Sequence, residues 1–441
     1  MKKNLNSTLD SFQSVICFAA CKKAGPVYFL IILFTILAFS IQEVKAQNNS
    51  EWQCFHGSDR QNRSNETGLL NTWPSNGPGL LWTISGLGEG YCSVAIGGGS
   101  LYTAGKIENQ TYLFAYDLKG NILWKKPNGI AWTVKVSWAS SYNGPRSTPT
   151  YDNGVVYHLS EAGKLTAYKA KTGDVIWSKE LTKDFKAEIP EYGYTESVLI
   201  DGNNLFVRAA GQKGYQVCLN KMTGEIIWTN SEIPGTYGYN SLIVKDFGGY
   251  HQVIGASSCC FYSLDTKTGK LLWKVDFENQ YKVNCSDAVT FNEYVFLSSG
   301  EGKGCMLVRL KSSGKNILTE TVWQTELLDN YHGGILFNNG YVYGSGSSSK
   351  SWFCIDFLTG KQMWKTQGNG SLTYADGMLY LYDEKGSVKL IKSSPEKFEK
   401  AGEFKIPKGG EGPCWAHPVV CGGRLYLRQA DKLFAFNIKG K

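Results

Sequence analysis

An all-β chain folded as an eight-bladed β-propeller with four-stranded antiparallel blades is the fold this sequence predicts. Three observations carry it: tryptophans recur at blade-sized intervals, a Gly-bearing turn phrase precedes most of them, and the two ends of the repeat region hold complementary parts of one blade. The composition agrees, since 50 Gly, 25 Tyr, 21 Phe and 13 Trp in 441 residues suit many short strands joined by tight turns.

The phrase is an apolar stretch, a polar turn ending in Gly, and two or three residues later a Trp. It occurs as Ala115–Trp124, Ala167–Trp177, Cys218–Trp228, Ser263–Trp273 and Cys354–Trp364. It reads as strand, turn, strand: Gly supplies the positive φ of the turn, Asp or Asn caps it, and the indole wedges between neighbouring sheets. Upstream lies a second turn and an aromatic strand, as in Asp152–Tyr157, Asn338–Tyr343 and Asp376–Tyr380, which brings each unit to four strands. Closing strands are expected at Trp82, Trp124, Trp177, Trp228, Trp273, Trp323, Trp364 and, degenerately, Phe404, with steps of 40 to 53 residues. Gly423–Phe436 holds only three strands and Leu80–Trp82 is a lone closing strand. Pairing them would close the ring and remove its sticky edges. The domains are therefore 80–441 as propeller and 47–79 as an extended arm. Leu310–Glu320 and Ser393–Lys400 replace the short turn in two blades and are expected to protrude.

These phrases resemble the tryptophan-docking repeats of PQQ-type quinoprotein propellers over 52–441. The run Trp52–Arg63 with Glu66–Leu70, Trp73-Pro and Leu81-Trp82 is similar to the start of exported PQQ-binding-like repeat proteins. Outer-membrane assembly propellers of the BamB type are more distant relatives of the same kind. The resemblance implies the fold and leaves the activity open, because one architecture hosts many functions.

The formal charge is +8, of which Lys2, Lys3, Lys22, Lys23 and Lys45 against Asp10 and Glu43 place +3 before residue 47. The remaining +5 is spread without a cluster, which excludes a nucleic-acid footprint. Residues 27–41 are a 15-residue apolar run after Lys22-Lys23, followed by Val44-Lys45-Ala46. This reads as a signal peptide over 1–46 cleaved after Ala46. A retained anchor would need ~20 apolar residues, and a lipidation box at Phe18–Cys21 fits less well. The protein is expected to be an exported monomer of the periplasm or cell envelope, or secreted, meeting a membrane only through an uncleaved N-terminal segment. Ten of the twelve Cys follow the signal, where disulfides are permitted, yet no Cys-x-x-Cys occurs.

Residues leading into the innermost strand of each blade should converge on one axial funnel. Those lead-ins hold a variable polar residue before a small one, which would point Arg146, Glu196, Asn240 and His332 at shared solvent. Asp287, Trp415, His417, Tyr194 and Tyr91 join them as candidate ligand-binding residues. Aromatic faces beside charged groups suit a polar small molecule, a glycan or a protein partner. The plainer alternative is that Arg146 pairs with Glu196 while the histidines bond backbone around a water-filled hole. The two His lack the spacing of a metal site.

Cys259-Cys260 invites comparison with the adjacent-Cys disulfide of quinoprotein dehydrogenases. Here the pair reads as part of a middle strand, where the two thiols point apart. The calcium-binding Glu, Asn and Asp of those enzymes find no residue-by-residue match. A binding or scaffold protein without cofactor is therefore the leading expectation. A PQQ- and calcium-dependent dehydrogenase is the alternative, and a glycan-active hydrolase or lyase lies further off, without a Gly-x-Ser-x-Gly elbow to support it.

Overall fold

The structure is a computed structural model that describes residues 50–134 and 142–440; the apolar run and the expected cleavage site lie outside them. It holds eight four-stranded antiparallel sheets. Seven follow in order, over 95–130, 150–180, 199–230, 243–276, 289–325, 336–367 and 370–405. The eighth joins Val419–Cys421, Arg424–Gln429 and Lys432–Asn437 to Gly79–Ile84, which pairs with Lys432–Asn437 as the outer strand. The eight-bladed ring closed by the N-terminal strand is thus confirmed. The core is eight apolar layers, each between two adjacent blades, rather than one central mass.

Every outer strand carries a one-residue bulge at the same register, between the residue facing the third strand's apolar slot and the turn before it. The bulge turns the next side chain onto the following blade. In seven blades that side chain is Trp. Six of these indoles donate Nε1–H to a turn carbonyl of the next blade at 2.8–3.2 Å. The turn glycine lies against the ring: a Cβ at Gly269, which has φ +71°, would fall 2.5 Å from Trp228. Trp273 instead donates to Gln252 of its own blade. The next blade has replaced the short turn by a long hairpin, Gly304–Ser313 with Asn316–Thr325, whose Leu310 and Ile317 pack in the same layer as Trp273.

The seventh blade corrects one expectation. The residue after its bulge, opposite Leu390, is Gly402, not Phe404. Trp73 of the arm fills the vacated place: a Cβ at Gly402 would meet its side chain at 2.7 Å, and its ring lies 5.9 Å from Tyr380, a second-strand aromatic like the one that six of the seven docking indoles meet in their own blades. Phe404 packs edge-on to Trp73 at 5.3 Å. The turn at Ser393–Lys400 also does not simply protrude. Its Ser394 carbonyl accepts from Trp364, and Phe398 stands edge-on to the same ring.

The arm reaches all eight blades. Trp52 bridges Ile96 of the first, and Gln53 accepts from Tyr151 of the second. The Arg60 guanidinium binds the Ser197, Val198 and Leu242 carbonyls of the third and fourth. His56 reaches Asp287 of the fifth and His417 of the eighth, while Arg63 and Asn62 bind the sixth and seventh. His56, Arg60 and Asn62 all have positive φ, a conformation L-residues adopt rarely and hold here through these bonds. The segment spans the axial opening and makes the channel a blind pocket.

Candidate functional site

Each lead-in is a short extended stretch, so its side chains alternate between the axis and the blade interior. Taking Tyr91, Arg146, Thr195, Tyr239, Cys285, Tyr331 and Trp415 as position one, all seven line a single cavity of about 670 Å³. Position two points away, except at His332, which also lines the cavity. Glu196 and Asn240 are buried behind the wall, and so is Tyr194, one residue before position one. The expectation that these three face shared solvent fails because the reading took the wrong phase of a period-two pattern.

Glu196 does not pair with Arg146. Its carboxylate lies 3.7 Å from the Arg208 guanidinium, accepts the Arg208 N–H at 3.0 Å, and is pushed up to about 7 by burial against the pull of that cation. Asn240 Oδ1 accepts from Arg208 and from the Ala256 N–H. Tyr194 donates its hydroxyl to the Ala209 carbonyl at 3.1 Å.

Position three explains the small residues. Ser93 N–H donates to Thr148 Oγ1, Thr148 N–H to Ser197 Oγ, Ser197 N–H to Ser241 Oγ and Ser241 N–H to Asp287 Oδ1, a chain of 2.6–3.0 Å bonds stitching blades one to five around the axis. Two members of this position are not small, Asp287 and His417, and both bind His56 of the arm.

That cluster is joined through the imidazole nitrogens. His417 Nε2 lies 2.6 Å from the His332 carbonyl, which can only accept, so the proton is on Nε2. Burial holds the His417 imidazole neutral, its pKa well below the ordinary histidine value, so Nδ1 is an acceptor. It accepts from His56 Nε2 at 2.9 Å. His56 Nδ1 then faces Asp287 Oδ2 at 3.1 Å, within ion-pair distance, although that oxygen accepts no aligned hydrogen bond.

On the pocket wall His332 Nε2 lies 3.3 Å from Glu384 Oε1, which also accepts the Trp415 indole N–H at 3.1 Å. Burial opposes charge on Glu384, but these two partners outweigh it and hold the carboxyl down to about 2. Arg146 donates Nη1–H to the Tyr192 carbonyl and Nη2–H to the Tyr142 carbonyl, with its guanidinium 5.5 Å from the Tyr91 ring centre. Burial pushes the Cys285 thiol up to about 12, so it is not a ready nucleophile.

Arg146, Asp287, His332, Trp415, His417 and Tyr91 therefore share the cavity. Phe55, Tyr142, Tyr192, Glu301, Lys350 and Glu384 line it too and were missed. Tyr142 and Tyr192 precede lead-ins by a few residues. Glu301, Lys350 and Glu384 sit in turns between second and third strands, which return to the lead-in face. That topology was the available signal.

Cys259 and Cys260 also depart from expectation. Cys259 lies in the turn before the strand Cys260–Asp265, so strand alternation does not separate the thiols, and both approach Ser257 Oγ, at 3.5 and 3.3 Å. Both are free and neither lines the cavity.

Of the pocket's carboxylates, Asp287 faces His56, Glu384 is bound by His332 and Trp415, and Glu301 lines the cavity as well; among the described residues no three His, Cys, Asp or Glu gather as metal ligands.

The family model described as outer membrane protein assembly factor BamB matches residues 109–366, more than half of the chain. The chain belongs to the BamB family. The Escherichia coli assembly factor BamB is 30% identical over 111 residues, 24% of this chain and 25% of that one. The tetrathionate hydrolase of Acidithiobacillus ferrooxidans is 22% identical over 307 residues, 66% of this chain and 51% of that one. The chain thus spans about half the length of the hydrolase and a quarter of that assembly factor. Among solved structures, BamB from Moraxella catarrhalis superposes with a TM-score of 0.57 at 15% identity, over 81% of this chain and 99% of that one. Quinohemoprotein alcohol dehydrogenase from Comamonas testosteroni gives 0.66 at 14% identity, over 89% and 81%. At these identities the structural likeness is one of fold.

Proposed function

We propose that this BamB-family propeller is an exported binding protein that takes a polar small molecule or a glycan segment into its blind axial pocket. One observation carries the reading: position one of seven blades, at the shared axis, departs from the uniform repeat to present Tyr91, Tyr239, Tyr331 and Trp415 beside Arg146. A cavity of about 670 Å³ that mixes ring faces with convergent polar groups is the usual form of a small-molecule site. Export rests on the apolar run 27–41 and agrees with the outer-membrane role in the family's name.

The test is a glycan array with soluble-ligand calorimetry on the mature chain, wild type against Tyr239→Ala and Trp415→Ala. The reading expects at least one ligand whose affinity falls about tenfold or more in both variants, as for lost stacking contacts. Binding that ignores both substitutions would remove the pocket as the site.

A second reading, protein scaffolding, is favoured by the family name together with the exposed hairpin tip at 311–316. It expects Lys311→Glu with Lys315→Glu to abolish capture of an envelope partner while ligand binding persists.

A further inference from the structure

We propose that the pocket seats its ligand by an anionic group, the carboxylate of an acidic saccharide, on Arg146 between two aromatic walls. The inference rests on the pocket being a ligand site and adds the chemistry of that ligand.

The four arginines nearest the axis differ in what their donors reach. Arg208 is ion-paired with Glu196 and bonded to Gly238, Asn240 and Tyr262. Arg60 is locked onto three backbone carbonyls, and Arg428 onto the Cys92, Ala104 and Ala430 carbonyls. Arg146 alone of the four lines the cavity, and among the described residues no carboxylate lies within ion-pair distance of it. Among the described residues only two carbonyls, those of Tyr192 and Tyr142, accept from its five N–H groups, one from each wall. A half-buried guanidinium that faces the cavity without a counter-ion is a ready seat for an anionic group.

The other charged groups of the pocket are of both signs. Asp287 faces His56 of the arm at 3.1 Å, and Glu384 is held by His332 and Trp415. Lys350, exposed and lining the cavity, has no ion-pair partner among the described residues. Glu301 is the remaining carboxylate.

The walls then set the class of anion. Tyr91, Tyr142 and Trp415 form one cluster, with Trp415 5.0 Å from Tyr91 and 4.9 Å from Tyr142. Tyr192 and Tyr239, 5.6 Å apart, form the other. Arg146 is tied to a carbonyl of each. An inorganic anion would leave these faces and most of the volume unused. A flat apolar acid would offer no hydroxyl to the polar lining, in which Thr195, Ser197, Ser241 and Ser347 are already bonded within the protein but still accept or donate further, and Asn369 faces the cavity. A sugar acid answers all three features: C–H faces for the rings, hydroxyls for the small polar side chains, and a carboxylate for the bidentate fork of Arg146.

The experiment is calorimetry of the mature chain with trigalacturonate, its methyl ester and neutral galactotriose, at two salt concentrations. The expected result is that the acid binds about tenfold or more tightly than ester or neutral sugar, that this margin shrinks with salt, and that Arg146→Gln abolishes it while Arg146→Lys retains part. Unchanged melting of Arg146→Gln shows that the loss is not unfolding. Equal affinity for acid and ester, or a margin that survives Arg146→Gln, overturns the assignment. So does failure of all three sugars to bind, or sulfate alone competing at the affinity of the acid. If Tyr239→Ala and Trp415→Ala still weaken another ligand when the uronate margin is absent, the pocket reading stands and the anionic group falls; if they weaken none, both fall.

Discussion

At the rim, seven blades put an indole in the slot after the bulge, and the remaining one, the seventh in chain order, borrows Trp73 from the arm to do the same. At the axis, the lead-ins share one backbone register and fill its first position with Tyr91, Arg146, Thr195, Tyr239, Cys285, Tyr331 and Trp415. The rim repeats because each docking contact solves the same problem, sealing one sheet against the next. The axis varies because its side chains face a common space instead of a neighbouring copy. Regularity in this molecule marks stability, and departure from it marks the site.

The largest expected effect tests the rim. Trp228→Ala should cost about 3–5 kcal/mol in denaturant unfolding, as for a buried aromatic removed from a packed layer. Trp73→Ala should cost a similar amount, although it lies outside the repeats; a loss under about 1 kcal/mol would show that the arm is not part of the ring. Arg208→Ala should cost about 3–5 kcal/mol by leaving Glu196 buried and alone, whereas Glu196→Gln should cost much less. If the two are equal, the pair is not an uncompensated-charge problem.

The fold was legible because a 40- to 53-residue repeat announces itself and because the terminal fragments add up to one blade. The phase of the lead-ins was not. Choosing position two selected Glu196 and Asn240, which face inward, and passed over Cys285 and Tyr331. A one-residue error in an alternating stretch exchanges wall for interior. The arm was less legible still: nothing local in Trp52–Ser64 says that it crosses the axis, since its partners lie up to several hundred residues away. Asp287 and His417 were the available clue, being large where Ser93, Thr148, Ser197 and Ser241 are small.

Smaller effects sharpen the contrast. His56→Ala removes the link between Asp287 and His417 and should cost about 1–3 kcal/mol, the range for a buried polar group left unpaired. It should also raise proteolysis within 52–64 and leave the outer strands untouched. A rise in cleavage spread over all blades would mean that the arm supports the whole ring and not the axis alone.

The smallest effect belongs to the outer surface. His251 lies 2.6 Å from Asp246 and 2.8 Å from Asp201; burial works against its charge, but the two carboxylates win and raise its pKa above 6.5. The raised value means that this contribution is complete below about pH 6.5 and fades as pH climbs through the folded-state pKa. It should amount to under about 1 kcal/mol at so exposed a site. Asp201→Asn should flatten that part of the pH–stability curve, and an unchanged curve would assign the slope elsewhere.

The strand Gly79–Ile84 has a further consequence for how the molecule comes into being. Its partner, Lys432–Asn437, is made hundreds of residues later, so the first strand out of the ribosome is nearly the last to be placed. Until then the growing chain is an open crescent with two bare sheet edges, a form prone to pairing with other chains and slow to mature. Any helper that keeps such a chain extended until synthesis ends would raise its yield, and a product stopped short of the final hairpin would polymerise instead of closing.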